Sequence, residues 1–457
     1  MNGRRTLAAV ITALALVLAA CGSSSKSTTA GSATTTPTTT HVVSKTLGRG
    51  VTASTVKLGI SLVDFTCIEQ YVNSIRTNQQ AGYQAFIDDI NAKGGINGRK
   101  IVAVFKTYCP ITGTSELNVQ VCTGFADDDK VFAVIGNLSD AGSDGAVETC
   151  LAKKHQTPVM SFDLTRAIIN QSPPGMVIFP GTTPERKDGV LLDLLHQKGL
   201  LNGKKVAVLA TTSEEAEAKT TILPKLKQLG IPTGTSAYLS IAGTDTTAAQ
   251  AQLSSFIERW KSENVNSVYV AGENVASQQF MEKLAQGMPG VMLMTNVDDV
   301  RTFGQEEKTA GIKPNPYQGM YLAGGYNPKD YVKGPNYAYC AAIWKKYTGK
   351  TAPTPDEVIP GPDGKTLDTY GNFNDACQTV SLFADVATKV GPYLNTSNWV
   401  STVDSYGNIA NRGGGPYASL KTGKYDFDDT FQLQSFDENI SKLGDWKALG
   451  PYQNISS

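Results

Sequence analysis

The sequence predicts an α/β protein built from two similar lobes, each containing a doubly wound, Rossmann-like parallel sheet. Apolar runs of strand length alternate with amphipathic helices from Val56 onwards, and the same alternation begins again at Lys204. Strands that alternate with helices are typical of parallel sheets covered by helices on both faces. The chain has 457 residues, which is long enough for two domains of ordinary size.

In the first lobe, apolar strand patterns are separated by helical patterns in which the apolar residues recur every three or four positions. In the helix at 78–95, for example, Ala81, Ala85, Ile87 and Ile90 are predicted to face inward. The predicted strands are residues 56–63, 100–108, 131–138 and 157–162, and the predicted helices are residues 78–95, 115–128 and 143–154.

The second lobe repeats this alternation, and a less regular tail follows it. The tail contains a strand at 319–325 and two helices, around Tyr337–Tyr347 and Asp375–Lys389. The predicted strands of the second lobe are residues 204–211, 235–240, 267–272 and 291–296, and its helices are residues 218–230, 247–263 and 277–286.

The glycine-rich stretch "INAKGGINGRKI", residues 90–101, is predicted to be a turn and not a phosphate-binding loop. Phosphate-binding loops run from a strand into a helix, so that N–H groups at the helix start face the phosphates. Here a helix runs into a strand: Gly94 and Gly95 suit the end of a helix, and Asn97 and Gly98 suit a tight turn. The stretch therefore lies at the opposite edge of the sheet from the strands' carboxyl ends, which are where such folds bind ligands.

The charge and motif content exclude several classes of function. The chain has 41 basic residues (lysine and arginine) and 41 acidic residues (aspartate and glutamate). It therefore has no net positive charge that would attract nucleic acid. The sequence has no G-x-S-x-G or H-E-x-x-H motif, which predicts that the protein is not an enzyme and has no catalytic residues. The three histidines are scattered and no C-x-x-C pair exists, so neither a metal site nor a cofactor is expected.

The N-terminal residues have the features of an export signal. Arg4 and Arg5 precede an apolar run that ends "LAAC" at Cys21, and this run is shorter than the roughly 20 residues that span a bilayer. The ending resembles a bacterial lipobox, which implies a signal peptide at 1–20 and a lipid-modified Cys21. An ordinary secretory signal with an incidental cysteine is the alternative. Residues 21–50 are rich in serine and threonine and suit a flexible tether to the extracytoplasmic face of the cell membrane.

Several stretches together resemble the type I periplasmic binding proteins of the leucine/isoleucine/valine-binding branch. They are "VKLGISL", "AFIDDINAKGGINGRKI", "VFAVIGNLSDAGSDGA", "TPVMSFDLT", "GKKVAVLAT" and "FIERWKSENVNSVYVAG", in this order between about Val56 and Gly325. The resemblance implies two lobes joined by a three-strand hinge, a ligand between the lobes, and an ABC permease as partner. We therefore assign residues 51–177 and 319–425 to lobe 1, and residues 178–318 and 426–457 to lobe 2.

Export predicts that the six cysteines other than Cys21 form disulfides. In this fold Cys67 and Cys109 end neighbouring strands, Cys122 and Cys150 lie on helices of the same face, and Cys340 and Cys377 lie on two helices of the tail. These positions suggest three bonds. The alternative joins Cys109 to Cys150, as some relatives link the corresponding regions.

Ligand-binding residues are expected at the carboxyl ends of the strands, where the loops of both lobes meet. In the amino-acid-binding relatives, serine or threonine after the third strand holds the ligand carboxylate, and second-lobe acids or aromatic residues take the ammonium. The candidates in this sequence are Asp64, Phe65, Tyr71, Ser139, Asp140, Phe162, Asp163, Thr165, Glu273, Asn296 and Asp298.

The acids among these candidates depart from the family's pattern. Asp140 stands where the carboxylate-binding serine would be, and Asp163 lies near the fourth-strand contact. A fixed carboxylate about 4 Å from a ligand carboxylate costs on the order of 4 kcal/mol, which disfavours a plain amino acid unless Ser139 or Ser143 serves instead. An amino-acid-like, cationic or polyhydroxylated ligand is therefore expected. The alternative is that these acids cap the helices that follow them.

Together these features predict an extracytoplasmic solute-binding lipoprotein that delivers a small polar ligand to an ABC permease. The alternative is a ligand-sensing or cell-envelope scaffold lipoprotein, because the same fold serves signalling as well as transport.

Overall fold

The computed structural model describes residues 44–69, 74–109, 115–138, 145–162, 164–241, 246–355, 357, 359–362 and 365–456. The predicted signal peptide, Cys21 and most of the predicted tether lie outside the described residues. No helix in the described part of the chain is both long and apolar enough to cross a membrane.

The first lobe contains a five-stranded parallel sheet flanked by helices. Its elements in chain order are β1 (Thr55–Val63), α1 (Phe65–Ile68), β2 (Ser74–Ile75), α2 (Gln79–Ala92), β3 (Lys100–Tyr108), α3 (Ser115–Thr123), β4 (Ala133–Gly136), α4 (Ala146–Thr149), β5 (Val159–Ser161), α5 (Arg166–Asn170) and β6 (Val177–Ile178). The strand order is β3-β1-β4-β5-β6. Single π-helical turns, Gly124–Asp128 and Cys150–Lys154, extend α3 and α4.

The second lobe follows with α6 (Pro184–Gln197), β7 (Val206–Thr211), α7 (Glu215–Glu217), α8 (Leu223–Gln228), β8 (Ala237–Leu239), α9 (Thr247–Ser262), β9 (Ser267–Ala271), α10 (Glu273–Ala276), α11 (Gln278–Gly287), β10 (Met292–Thr295), α12 (Val300–Ala310) and β11 (Tyr321–Gly324). A π-helical turn, Ala218–Ile222, joins α7 to α8.

The C-terminal part contributes to both lobes. Its elements are α13 (Pro328–Tyr331), α14 (Pro335–Thr348), β12 (Ile359–Pro360), β13 (Thr366–Leu367), α15 (Thr369–Val390), α16 (Thr396–Asp404), β14 (Gly407–Asn408), β15 (Ser419–Leu420), β16 (Thr430–Asp437), β17 (Asp445–Ala448) and β18 (Gln453–Asn454). The second sheet has the order β17-β16-β11-β10-β9-β7-β8, with β18 also paired to β16.

The turn between α2 and β3 confirms the interpretation of the glycine-rich stretch. Gly95 has a φ of +71°, and its N–H donates to the carbonyl of Ile90 at 2.9 Å, which closes the end of α2. A Cβ at Gly95 would lie 2.0 Å from the carbonyl oxygen of Arg99, so the close approach of the backbone requires glycine.

The three predicted disulfides are confirmed. Cys67–Cys109 joins the segments that follow β1 and β3, Cys122–Cys150 joins the helices after β3 and β4, and Cys340–Cys377 joins α14 to α15. The alternative pairing of Cys109 with Cys150 is therefore wrong, because each of these cysteines lies beside a different partner in the fold.

Two positions differ from the sequence-based expectations. Ala81 is exposed, whereas Tyr83 and Phe86 fill the inner face of α2. The strand β11 belongs to the second sheet, where Leu322 pairs with Gln434, although the assigned boundaries place residues 319–425 in the first lobe. The second passage of the chain between the lobes therefore follows Gly324.

Three crossings, which we call the hinge, connect the lobes: residues 179–183, 325–334 and 421–429. The first leaves the carboxyl end of β6, the second leaves the carboxyl end of β11, and the third enters β16 beside β11. Because the crossings leave both sheets at these ends, the carboxyl edges of the two sheets face the same junction.

A buried ion network holds the first and third crossings together. Arg186, at 4% exposure, pairs with Asp426 at 3.1 Å and also with Asp429, which Lys424 contacts at 2.9 Å. The Arg186 guanidinium donates further to the carbonyl of Asp428 at 2.8 Å. The charges of the two basic groups and the two acids cancel, which makes their burial tolerable.

We expect Arg186→Met to lower the free energy of unfolding by about 3–5 kcal/mol, because it leaves two buried carboxylates with Lys424 as their remaining cation. Urea unfolding followed by circular dichroism would measure the loss. Arg259→Met is the matched control, since the Arg259 side chain is 60% exposed in its pair with Glu263. This control should cost less than about 1 kcal/mol. Equal losses in the two variants would contradict a structural role for the network.

Candidate functional site

At the carboxyl edge of the first sheet, Asp64 and Phe65 lie directly after β1. The Asp64 carboxylate accepts the N–H of Thr66 at 3.0 Å and so caps α1, as the alternative interpretation of these acids expected. Phe65 is half-buried as the first residue of α1. The Cys67–Cys109 disulfide fixes this edge, because it joins the segments that follow β1 and β3.

Phe162 and Thr165 lie after β5. Phe162 is half-buried, and the Thr165 hydroxyl caps α5 by accepting the N–H of Ile168 at 3.2 Å. Both carboxylate oxygens of Glu185, on the second-lobe helix α6, accept the N–H of Arg166 at 3.0 Å. This contact brings the two lobes together at the predicted position of the site.

Four further candidates lie outside the described residues, and they stay sequence-based predictions. They are Tyr71, Ser139, Asp140 and Asp163.

At the carboxyl edge of the second sheet, the three predicted residues have different surroundings. Asn296, after β10, accepts the N–H of Gly272 at 3.3 Å and donates to Glu217 at 3.1 Å. Asp298 forms an ion pair with Lys187 on α6. Glu273 is exposed at the start of α10. Of these three, Asn296 is the one that the structure places against further acids.

Those acids form a group that the sequence analysis did not find, which we call the lobe-2 carboxyl cluster: Glu185, Asp188, Glu214 and Glu217. Glu185 and Asp188 come from the first turns of α6, and the other two come from the segment after β7. Asp188 is fully buried, and the hydroxyl of Tyr269 donates to it at 2.6 Å. Thr211 donates its N–H to Glu214 at 3.2 Å.

One sequence signal could have found Asp188. On α6, Asp188 occupies the same helical stripe as Leu192 and Leu195, both of which are buried. A carboxylate on the apolar stripe of an amphipathic helix is expensive to bury without a partner, so its presence there indicates a special environment.

Burial and mutual repulsion shift the protonation of this cluster. Burial raises the pKa of the Asp188 carboxyl, whereas hydrogen bonds from Glu217 and Tyr269 partly oppose that shift. Burial raises the pKa of Glu217, and the negative charge of Asp188 raises it further. Both carboxyl groups therefore hold a proton at a higher pH than an exposed acid does.

Among the described residues, one group of potential metal ligands has its ligand atoms within 4.8 Å of one another: Cys122, Cys150 and His155. The two sulfurs form a disulfide and offer no thiolate to a metal ion.

Comparison with known proteins places these features in a family. A family model of periplasmic binding proteins matches residues 71–359. Among curated proteins, none matches the chain.

Solved structures share the fold at low sequence identity. The leucine-, isoleucine-, valine-, threonine- and alanine-binding protein of Brucella ovis, in its closed conformation, is 13% identical with a TM-score of 0.60, and the match covers 88% of this chain and 95% of that one. A Rhodopseudomonas palustris solute-binding protein in complex with 4-hydroxybenzoate is 14% identical with a TM-score of 0.59, covering 88% and 98%. A fatty acid ABC transporter substrate-binding protein from Thermomonospora curvata is 16% identical with a TM-score of 0.56, covering 89% and 94%.

We expect the free energy of unfolding to fall as the pH rises above the ordinary carboxyl range, because folding raises the pKa of Glu217 and the unfolded chain ionises first. One such group contributes a slope of up to about 1.4 kcal/mol per pH unit. Glu217→Gln should make this decline shallower, since glutamine mimics the protonated acid and does not titrate. Urea unfolding between about pH 5.5 and pH 8.5 would measure the slope.

Glu215→Gln is the matched control, because Glu215 lies in the same helix and pairs with Lys219 at the surface. The control should keep the wild-type slope. An unchanged slope in Glu217→Gln would contradict the raised pKa of Glu217.

Proposed function

This chain belongs to the periplasmic binding protein family, and from this we propose that it captures a small polar solute between its lobes and delivers it to an ABC permease. One observation supports the proposal most directly: the carboxyl edges of both sheets face the junction made by the three crossings. In doubly wound folds these edges bind ligands. The chain binds and releases its ligand without transforming it, as a transport component and not an enzyme.

The proposed site uses residues of both edges. Asp64, Phe65, Phe162 and Thr165 line the first-lobe side, together with the sequence-based candidates Tyr71, Ser139, Asp140 and Asp163. Glu273, Asn296 and Asp298 line the second-lobe side. Structural neighbours bind ligands as different as leucine, isoleucine and hydroxybenzoates. At 13–16% identity such neighbours support the shared architecture alone. The class of ligand has to follow from this chain's own side chains.

Ligand capture requires that the lobes close, and closure is a shift between open and closed populations. We expect native mass spectrometry of the purified protein to show one small molecule per chain. Adding that molecule to ligand-free protein should reduce the radius of gyration in small-angle scattering and return the molecule unmodified. A chemically altered product would contradict the binding role.

Deletion of the gene should abolish uptake of the same molecule by cells. Binding without any effect on uptake would favour the sensing or scaffold role.

We also propose that Cys21 bears the lipid that holds the protein on the extracytoplasmic face of the cell membrane. Each buried lipid methylene contributes about 0.8 kcal/mol, so several acyl chains anchor a protein without a spanning helix. Cys21→Ser should move the protein from the membrane fraction to the soluble fraction. Ser23→Ala, two residues further along, is the control and should leave it in the membrane fraction. A membrane-bound Cys21→Ser variant would contradict lipidation.

A further inference from the structure

One disulfide of the first lobe has a histidine side chain beside it. Cys122 lies on α3, and its partner Cys150 begins the π-helical turn that extends α4. A ring nitrogen of His155 lies within 4.8 Å of both sulfur atoms. The N–H of His155 donates to the carbonyl of Cys150 at 3.2 Å, which sets the two residues one π-helical turn apart. The scattered histidines of the sequence had pointed away from a metal site, and only the fold brings His155 to these cysteines.

The imidazole of His155 supplies a second, independent observation. The His155 side chain is 10% exposed, and its Nδ1 lies 3.1 Å from a carboxylate oxygen of Asp127. Nε2 is buried and meets no hydrogen-bond partner among the described residues. Because Nδ1 carries the proton that Asp127 accepts, Nε2 keeps its lone pair. A buried polar atom without a partner costs free energy, so this lone pair beside two sulfurs points to a ligand.

Asp127 holds this imidazole in the way that carboxylates hold metal-binding histidines. Such histidines almost always donate their other ring N–H to a carboxylate, a carbonyl or water, which fixes the ring and its tautomer. Asp127 lies in the second π-helical turn, Gly124–Asp128, which follows Cys122 in the chain. The Arg49 guanidinium also donates to the carbonyl of His155 at 2.6 Å, so the main chain is held as well.

The disulfide can be reached from solvent on the side of Cys150. Cys122 is fully buried, whereas Cys150 is half-buried and lines a cavity of about 320 Å³. Lys153 and Lys154 line the same cavity, and their positive charges favour a thiolate there. The disulfide between α14 and α15, by contrast, is fully buried at both ends. The cavity therefore gives a reductant access to one sulfur of this bond.

We propose that Cys122, Cys150 and His155 bind one Zn²⁺ when this disulfide is reduced, so that the disulfide is the closed form of a redox-controlled metal site. Two thiolates and one imidazole are ligands that Zn²⁺ prefers, and a water molecule completes the coordination. Asp127 acts as a positioning residue through the imidazole. The inference goes beyond the proposed function, since the site shares no residue with the proposed ligand site.

The opening reaction needs a dithiol reductant. One thiolate of the dithiol attacks the Cys150 sulfur from the cavity, and the Cys122 sulfur leaves and takes up a proton. The second thiol of the reductant then displaces Cys150, so the reductant becomes a disulfide and the protein holds two thiols. Zn²⁺ binding releases these two thiol protons to solvent. Loss of two electrons to an oxidant forms the disulfide again and releases the ion.

Zn²⁺ fits the three side chains better than a hard cation does. Zn–S bonds of about 2.3 Å and a Zn–N bond of about 2.0 Å put the ligand atoms of a tetrahedral site about 3.5–3.8 Å apart. The histidine nitrogen already lies within 4.8 Å of both sulfurs, so small side-chain rotations complete the site once the bond is open. Ca²⁺ and Mg²⁺ take oxygen ligands, which these side chains do not supply.

Metal titration of the reduced whole protein would test the inference. Tris(2-carboxyethyl)phosphine, a reductant without thiols, is added stepwise until mass spectrometry of alkylated peptides shows that the Cys122–Cys150 bond is open. Co²⁺ then serves as the spectroscopic probe, because its absorption reports tetrahedral coordination by thiolates. We expect one Co²⁺ per reduced chain, its displacement by one Zn²⁺, and no binding by the oxidised protein.

Single variants separate the roles of the side chains. His155→Ala removes a ligand and should weaken Zn²⁺ binding by at least about 100-fold, the upper end of the loss that an outer-shell partner causes. Asp127→Asn should weaken it by about 10–100-fold and keep the cobalt–thiolate absorption, which general damage to the fold would not do. His196→Ala is the matched control, since His196 is exposed on α6, and it should bind as the wild type does.

The double variant Cys122→Ser/Cys150→Ser should bind neither ion. If this variant does not fold, His155→Ala decides, because it keeps the disulfide during folding. Four results would overturn the inference: no metal bound by the reduced wild type at about 100 μM, equal affinity in His155→Ala, binding by the oxidised protein, or unfolding in circular dichroism when this bond opens. The proposed capture of a solute would stand in each case, because its site lies elsewhere.

Discussion

The arrangement of the two lobes depends on one buried cation, Arg186, at the junction of the crossings. Its guanidinium binds Asp426 and Asp429 and the carbonyls of Asp428 and Ile455, which come from separate C-terminal segments. A planar guanidinium fixes the direction of each of these bonds. It therefore orients the segments and also neutralises the charges of the two carboxylates. The four charged side chains of the network are each at most 6% exposed, so little water reaches this part of the hinge.

The helix α6 joins this hinge to the candidate site. Arg186 faces the crossings, while Glu185 and Asp188, one and two positions away, belong to the lobe-2 carboxyl cluster. Residues that hold the lobes together and buried acids beside the candidate site therefore share one turn of one helix. Their relative positions are set by helix geometry and do not depend on the conformation of a loop.

The first-lobe side of the site is stabilised differently. The Cys67–Cys109 disulfide ties the ends of two strands, and Asp64 and Thr165 cap the short helices that follow β1 and β5. The bonds from Thr66 that cap α1 end on Oδ1 of Asp64, so its Oδ2 takes no part in the cap. Capping a helix and binding a ligand are thus compatible roles for Asp64, although the sequence analysis treated them as alternatives.

The sequence by itself determined the features that local patterns encode. Alternating strand and helix periodicities predicted the two lobes, and the order of helix and strand around Gly95 predicted a turn. The positions of the cysteines on neighbouring strands and on helices predicted the three disulfides. Each of these depends on residues close in sequence or on the standard geometry of a parallel sheet.

Only the tertiary structure decided how charges are compensated. The sequence shows Arg186, Asp188 and Glu217 as three charges among 82, but it does not show that Arg186 meets Asp426, 240 residues away, whereas Asp188 meets another acid. The placement of β11 in the second sheet likewise depends on its pairing with the distant β16. Burial and partner choice arise from long-range packing, which leaves no periodicity in the sequence, and they set whether an acid is a cap, an ion pair or a buried carboxyl group with a raised pKa.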